Sequence, residues 1–421
     1  MIAQANDGIT YLLSQSGESF FHLFWFVIIF EFPRYLLAFF SVAVLSFAKR
    51  KRVRGQVAAA RVSVVIAGHN EEGSIERCVL SLREQTRVPD EIIVISDGST
   101  DGMPRKLREL RSCGLIHEAH CTQLRAGKSA ATNLGFGRAT GDIVINVDCD
   151  CTFDRHAIEE MIRPFANVQV GAVVGNIVVR RPHASLLTEF QAIEYLITIS
   201  QGKQAANLTD QVTCISGAFG AFRRVAIQRV GGLDSGGGED LDLTLRLRAE
   251  GWKMVFAPNA TCYTEPPVTL AALTRQRFRW ERDAIRLRYR KHRDLLNPFG
   301  SRFKGIELLH EIDFMMFNVL AAVAFPFYLV WLFATYGELA PIILIGAQTG
   351  LLALDAVTFL LAAWMTPKVH SMALMPYLPG YSVFYGFLMR FVRIAAYLQE
   401  WIFKASYQDS YVPMKVHKVR R

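Results

Sequence analysis

Four groups of residues, taken in chain order, have the types and spacing of a site that could handle a charged leaving group. Asp97 closes an apolar run. Asp148-Cys149-Asp150 closes another, and two carboxylates one residue apart on a turn can both reach a hard divalent cation that also holds a diphosphate. Glu239-Asp240 follows Gly236-Gly237-Gly238 and opens a helical run from Leu241 to Arg248. Acidic residues also suit helix N-termini for dipole and capping reasons, so this pair has a structural explanation beside the chemical one. Gln276-Arg277-Phe278-Arg279-Trp280 reads either as a basic amphipathic helix on an anionic leaflet or as a binding element. In the second reading Arg279 and Gln276 hold a diphosphate while Trp280 offers an aromatic platform to a sugar, and one helix can do both. Singly each group is weak, because an aspartate at a strand end is most often a turn or a cap.

The elements that must position them alternate. Val62-Ser63-Val64-Val65-Ile66 is a β-branched run ending in the turn Ala67-Gly68-His69-Asn70, and Ile75, Val79 and Leu82 then recur at helical spacing. Glu91 to Ser96 is a second strand, Lys128 to Arg138 a helix, and Ile143 to Val147 a third strand. Strands alternating with helices predict an α/β body with a mainly parallel sheet covered on both faces. Ligands of such sheets bind beyond the carboxyl ends of the strands, where Asp97 and Asp148-x-Asp150 fall. The glycine-rich stretch reads as a flexible loop, not as a linker between domains. His69, His183 and His310 form no ligand spacing.

The chain has 421 residues, 51% hydrophobic and 20% charged, with a net charge of +9, and its 29 Phe exclude a disordered polypeptide. All seven cysteines lie in the central polar body without C-x-x-C spacing, which predicts reduced thiols in a cytosolic compartment rather than a disulfide framework. Apolar runs gather at the two ends. Residues 20–48 predict a transmembrane helix, interrupted by Glu31, Arg34 and Pro33, with Glu31 and Arg34 spaced to pair. Residues 306–365 predict a transmembrane hairpin turning at Gly337-Glu338, and Asp355 inside it has either a channel role or a polar partner such as Arg390 or Arg393. Residues 376–404 form a third apolar segment, interfacial or transmembrane, because Arg390, Arg393 and Glu400 interrupt it. Five of the six residues at 49–54 are basic. The positive-inside rule then leaves the tail 1–19 outside and places the body 49–305, with an interfacial helix near 270–304, in the cytosol. The basic tail 405–421 is expected inside. These charges are assigned to the lipid bilayer, with no nucleic-acid partner.

It is the order and spacing of all four groups that resembles a family. Asp97, Asp148-x-Asp150, Glu239-Asp240 and Gln276-x-x-Arg279-Trp280, within a membrane-anchored α/β body, resemble the processive family 2 glycosyltransferases that make cellulose, chitin, hyaluronan and poly-N-acetylglucosamine. The resemblance covers about residues 60 to 285. Ser216 to Arg224 is similar to the acceptor-side loop of that family, nearest to the poly-N-acetylglucosamine synthase branch. The resemblance implies a GT-A-type, doubly wound mixed sheet that binds a nucleotide sugar and is flanked by transmembrane helices. It implies that Asp97 and Lys128 contact the uridine part of a UDP-sugar, and that Asp148 and Asp150 hold Mg2+ or Mn2+. Asp240 would be the general base with Glu239 beside it, Gln276 and Arg279 would close on the diphosphate, and Trp280 would meet the acceptor with Ser216 and Gly217. The implied activity is inverting transfer from UDP-N-acetylglucosamine or UDP-glucose to a growing β-linked polysaccharide, coupled to export from an integral cytoplasmic (inner) membrane protein. A small membrane subunit or self-association would complete the polymer channel. The alternative is a non-processive transferase that adds one sugar to a lipid acceptor. Glu281-Arg282-Asp283 departs from the small or neutral residues expected after the tryptophan.

Overall fold

The computed structural model describes residues 10, 14–47, 60–208, 210, 212–300, 303, 305–366 and 371–408. The basic stretch 49–54, Lys368 and most of the tail 405–421 lie outside the described residues.

The body is one eight-stranded sheet in the order β3-β2-β1-β4-β7-β6-β8-β5. Its strands are β1 (Val62–Gly68), β2 (Glu91–Asp97), β3 (Glu118–Thr122), β4 (Ile143–Asp148), β5 (Thr152–Phe153), β6 (Val170–Val179), β7 (Phe219–Arg223) and β8 (Lys253–Thr264). The three strands and the Lys128–Arg138 helix expected from the sequence are present. Their β-branched residues alternate between two cores. Val62, Val64, Ile66, Ile92, Val94, Ile143 and Ile145 bury on one face of the sheet. Val65, Ala67, Ile93, Ile95 and Val144 bury on the other. That two-residue period, apolar on both faces, is why these segments are interior strands.

The sheet is mixed rather than mainly parallel. β1, β2, β3 and β4 pair in parallel, but β7 runs antiparallel to both β4 and β6. The carboxyl ends of β1, β2 and β4 lie on one edge, and β1 has β2 on one side and β4 on the other, so the crevice opens where the connection reverses.

Two helical runs are long and apolar enough to cross a membrane by length and composition, Gly17–Val44 and Gly305–Met365. The first does not break at Pro33. A π-helical turn, Val27–Glu31, precedes the proline, and the helix resumes over Phe32–Phe47. A wider turn tolerates the missing N–H that would break a regular α-helix. The second run turns at Gly337, whose φ of 51° suits glycine. Tyr328 donates to the Leu23 carbonyl and Phe325 packs on Phe26, whereas the later Asp355 accepts from Tyr35. Ala321–Tyr336 therefore runs against the first helix and Ala340–Met365 along it, a hairpin.

The partners of the buried charges differ from those expected. Asp355 is bonded to Tyr35, not to Arg390 or Arg393. Arg390 pairs with Glu31, which also keeps its expected neighbour Arg34 at 3.9 Å. Arg393 turns instead to Glu281, 3.1 Å away, and Tyr397 donates to the same carboxylate at 2.7 Å. Glu281, the departure from the family pattern, is thus the anchor of the C-terminal segment on the Leu270–Arg286 helix. That segment is helical from Leu378 to Phe403. It packs through Leu378, Tyr381, Phe384 and Met389 into a core shared with Ile177 of β6 and Phe359 of the hairpin.

Candidate active site

Two cavities meet at the carboxyl edge of the sheet. The first, about 270 Å³, is lined by Gly68, His69, Glu71, Asp97, Arg125 and Asp148 among others. The second, about 230 Å³, is lined by Tyr195, Ser216, Gly217, Glu239, Asp240, Gln276, Arg279 and Trp280. Lys128, Asp148 and Asp150 line both. Every residue to which the resemblance gives a site role therefore borders one of two adjoining cavities, and the two aspartates stand where they join.

Asp97 is buried, and its two carboxylate oxygens accept the backbone N–H groups of Ala126 and Gly127, each at 2.7 Å. It holds the loop that leads into the Lys128–Arg138 helix, so its first task here is to shape the wall of the cavity. His69 supports it from behind, with Nδ1 at 2.8 Å from the Asp97 carbonyl oxygen. Lys128 stands at the head of its helix with Nζ at 2.5 Å from Asp148 and 3.9 Å from Glu239. The ammonium thus lies between the two acidic groups.

Asp148 ends β4, and Asp150 accepts from the Thr264 hydroxyl at 3.3 Å. Burial, with the nearby charges of Asp148 and Glu71, pushes the Asp150 carboxyl up to about 6. The donor set offers carboxylate oxygens only, from a two-residue turn, and Asp148 already attracts a cation in Lys128. This suits a hard divalent ion that takes its remaining ligands from phosphates and water. Among the described residues no group of three or more His, Cys, Asp or Glu could enclose a metal alone. Cys149 between them is buried, and burial raises its thiol well above the usual range, which agrees with a packing role.

Glu239 and Asp240 begin the Glu239–Ala249 helix, which is entered through Gly238 in the left-handed region, φ 64°. A Cβ on Gly237 would sit 2.3 Å from Asp283 Oδ2, and one on Gly238 would sit 2.9 Å from Leu287 Cδ1. The glycine stretch is therefore packed against the Leu270–Arg286 helix and its extension, not a free loop. Arg286 donates to the Gly237 carbonyl at 2.6 Å and holds it there. One turn on, Asp242 accepts from Arg246, Lys291 and His292 at 2.6 to 2.8 Å. Burial works to raise the Asp242 carboxyl, but these hydrogen bonds and cations outweigh it and hold the group well below the usual range.

The two carboxylates of the pair face different ways. Asp240 accepts from Gly217 N at 3.3 Å and Leu241 N at 2.8 Å, which places it beside the Ser216-Gly217-Ala218 loop. Glu239 faces Lys128. Burial raises Glu239 to about 7, with the Asp240 and Asp148 charges adding to the rise and Lys128 opposing it.

The Leu270–Arg286 helix closes the second cavity. Thr269 caps it by accepting from Ala272 N. Trp280 is 42% exposed. Gln276 lines the cavity, and its Oε1 is buried without a hydrogen-bond partner. The sequence reading missed Glu71, Arg125, Tyr195, Thr264 and Glu265 in the cavity walls. Tyr195, Thr264 and Glu265 come from segments whose strand or helix character was not read, and no local spacing ties them to the motifs.

Residues 63–231 match the family model described as Glycosyl transferase family 2. Over those residues the chain is similar to a family 2 glycosyltransferase domain, and its mixed sheet is of the GT-A type. The chain is 29% identical, over 273 residues, to a poly-beta-1,6-N-acetyl-D-glucosamine synthase of Staphylococcus epidermidis, covering 64% of this chain and 63% of that one. It is 31% identical, over 245 residues, to a protein of the same name from Staphylococcus aureus strain MSSA476, covering 58% and 57%. The chain thus spans about three fifths of the length of these curated relatives. In fold it is similar to a solved mannosyltransferase from Pyrobaculum calidifontis in complex with GDP-Man and Mn2+, at a TM-score of 0.55 and 21% identity over 83% of this chain and 96% of that one.

Proposed function

We propose that this protein transfers N-acetylglucosamine from UDP-N-acetylglucosamine, with inversion, to the end of a growing β-linked glycan. The observation that carries the reading is the pair of cavities joined at Lys128, Asp148 and Asp150, one suited to a nucleotide and the other to a sugar acceptor. The names of the staphylococcal relatives support N-acetylglucosamine over glucose as the sugar.

In this reading the nucleotide lies in the first cavity, against the loop that Asp97 shapes. Asp148 and Asp150 hold Mg2+ or Mn2+, and the Mn2+ in the solved fold relative is consistent with that choice. When bound, the ion neutralises charge that builds on the departing diphosphate. Arg279 and Gln276 close on the same group from the other side, and Lys128 adds a fixed positive charge. The acceptor sugar lies on Trp280. Its hydroxyl oxygen forms a bond to the anomeric carbon as the bond from that carbon to UDP breaks, and its proton passes to Asp240. A positioned carboxylate contributes about 10²–10⁴-fold to such a step. A single displacement by one base inverts the anomeric centre, giving a β-linkage from an α-linked donor.

The apolar helices anchor the enzyme in a membrane with the catalytic body on the cytosolic side, and the glycan leaves through them, alone or with a partner subunit. The test uses the full chain in nanodiscs with Mn2+ or Mg2+ and a panel of UDP-sugars. UDP release is followed, and products are sized and digested with linkage-specific hydrolases. A long polymer from UDP-N-acetylglucosamine is expected. UDP release yielding only a lipid-soluble monoglycoside would overturn the polymer reading in favour of a lipid acceptor, and a polymer from another donor would overturn the sugar.

A further inference from the structure

Trp280 is exposed along much of its surface, so its ring needs a neighbour that fixes its plane. Arg277, one turn earlier on the same helix, supplies it. Its guanidinium carbon lies 4.4 Å from the centre of the Trp280 ring, while the side chain itself is 8% exposed. Arg277 Nη2 donates to Glu194 Oε2. The same carboxylate oxygen accepts the Tyr385 hydroxyl at 2.7 Å.

Glu194 occupies a junction. It ends the Leu186–Glu194 helix and leads into the π-helical turn Tyr195–Gln201, whose Tyr195 and Ile199 form the wall of the second cavity. One carboxylate therefore ties together the cavity wall, the helix that bears Trp280, and the C-terminal segment that bears Tyr385. Glu281, four residues beyond Arg277 on the same helix face, repeats the attachment through Arg393 and Tyr397.

We infer that Glu194 and Arg277 are positioning residues that set the Trp280 ring for the acceptor sugar, with Tyr385 of the C-terminal segment as their outer support. A guanidinium is planar and weakly hydrated, so it fixes the orientation of a ring as well as its distance; an ammonium fixes neither. Arg277 touches neither the donor cavity nor the carboxylates where the two cavities join. The inference deepens the functional reading above and rests on its assignment of Trp280 to the acceptor.

The experiment compares wild type with Arg277→Met, Arg277→Lys and Glu194→Gln as full chains in nanodiscs, with UDP-N-acetylglucosamine and a β-linked N-acetylglucosamine tetrasaccharide. The acceptor KM is expected to rise about tenfold in Arg277→Met, between the sizes of an exposed and a desolvated cation–π contact. Donor KM and UDP release to water should stay within about twofold of wild type by the same placement. Arg277→Lys should be nearly as impaired as Arg277→Met, because charge without the planar stack does not orient the ring. In a Trp280→Phe background, Arg277→Met should add much less, since both changes then act on one contact. An unchanged acceptor KM, full rescue by lysine, or additivity with Trp280→Phe would overturn the inference. A readout without turnover separates this from failure of the functional reading: the Trp280 emission, taken as wild type minus Trp280→Phe, should change in Arg277→Met. If wild type transfers no sugar, the functional reading fails, and an unchanged emission refutes the stacking contact on its own.

Discussion

Asp240→Asn tests the assignment of the base most directly. Asp240 makes two hydrogen bonds to backbone donors, from Gly217 at 3.3 Å and Leu241 at 2.8 Å. Asparagine keeps one acceptor oxygen for one of them and turns an amide donor toward the other. The structural cost is about one hydrogen bond, or about 0.5–1.5 kcal/mol, so the folded protein and its donor affinity should survive. The chemical cost is larger. Without a carboxylate to take the acceptor proton, transfer should fall about 10²–10⁴-fold, equivalent to about 2.7–5.4 kcal/mol of barrier. The assay is UDP release at saturating donor and tetrasaccharide, alongside a thermal melt. A folded Asp240→Asn protein that keeps more than about a tenth of wild-type transfer would refute the assignment. Glu239→Gln is the informative control, since Glu239 faces Lys128 rather than the acceptor loop.

The other expectations concern the walls of the site. Burial holds Glu239 near 7, above its ordinary 4.5, so the folded state binds a proton that the unfolded state has released between those values. Stability without ligands should therefore fall as pH rises from about 4.5 through about 7, and Glu239→Gln should flatten that part of a melting-temperature profile. Gly237→Ala would drive a methyl group to 2.3 Å from Asp283 Oδ2. The protein should lose about 1–3 kcal/mol in a denaturation series and much of its transfer rate, because the shift moves Glu239 and Asp240 relative to Trp280. Asp148→Asn and Asp150→Asn should weaken Mn2+ binding measured by electron paramagnetic resonance and lower transfer by about two orders of magnitude. EDTA should abolish wild-type UDP release, and excess Mn2+ should restore it.

Much of the site was legible because its chemistry is local. Asp148-x-Asp150 needs only a turn, Glu239-Asp240 only a helix start, and each sits where an apolar pattern changes. The first strands and the Lys128–Arg138 helix were legible for the same reason: the strands are short continuous apolar runs buried on both faces, and the helix buries residues by helical turns. β6 and β8 escaped notice although they share a long ladder. β6 contains Gly171 and Gly175 and β8 contains Pro258 and Asn259, and such residues weaken a strand pattern until a neighbouring ladder compensates.

By itself the sequence determined which residue types are present, their spacing, the α/β alternation, and which stretches are too apolar for an ordinary surface. Only the tertiary structure decided the partners. Whether Arg390 meets Glu31 or Asp355, whether Arg393 reaches Glu281, and whether Arg277 meets Glu194 depend on segments up to 359 residues apart. Such pairs carry no periodic signal, because a buried charge is satisfied by any opposite group that packing brings within reach. The glycine stretch shows the same division. Its composition permits a flexible loop, and only the approach of Asp283 and Leu287 turns that freedom into a fixed entry to the helix bearing Asp240.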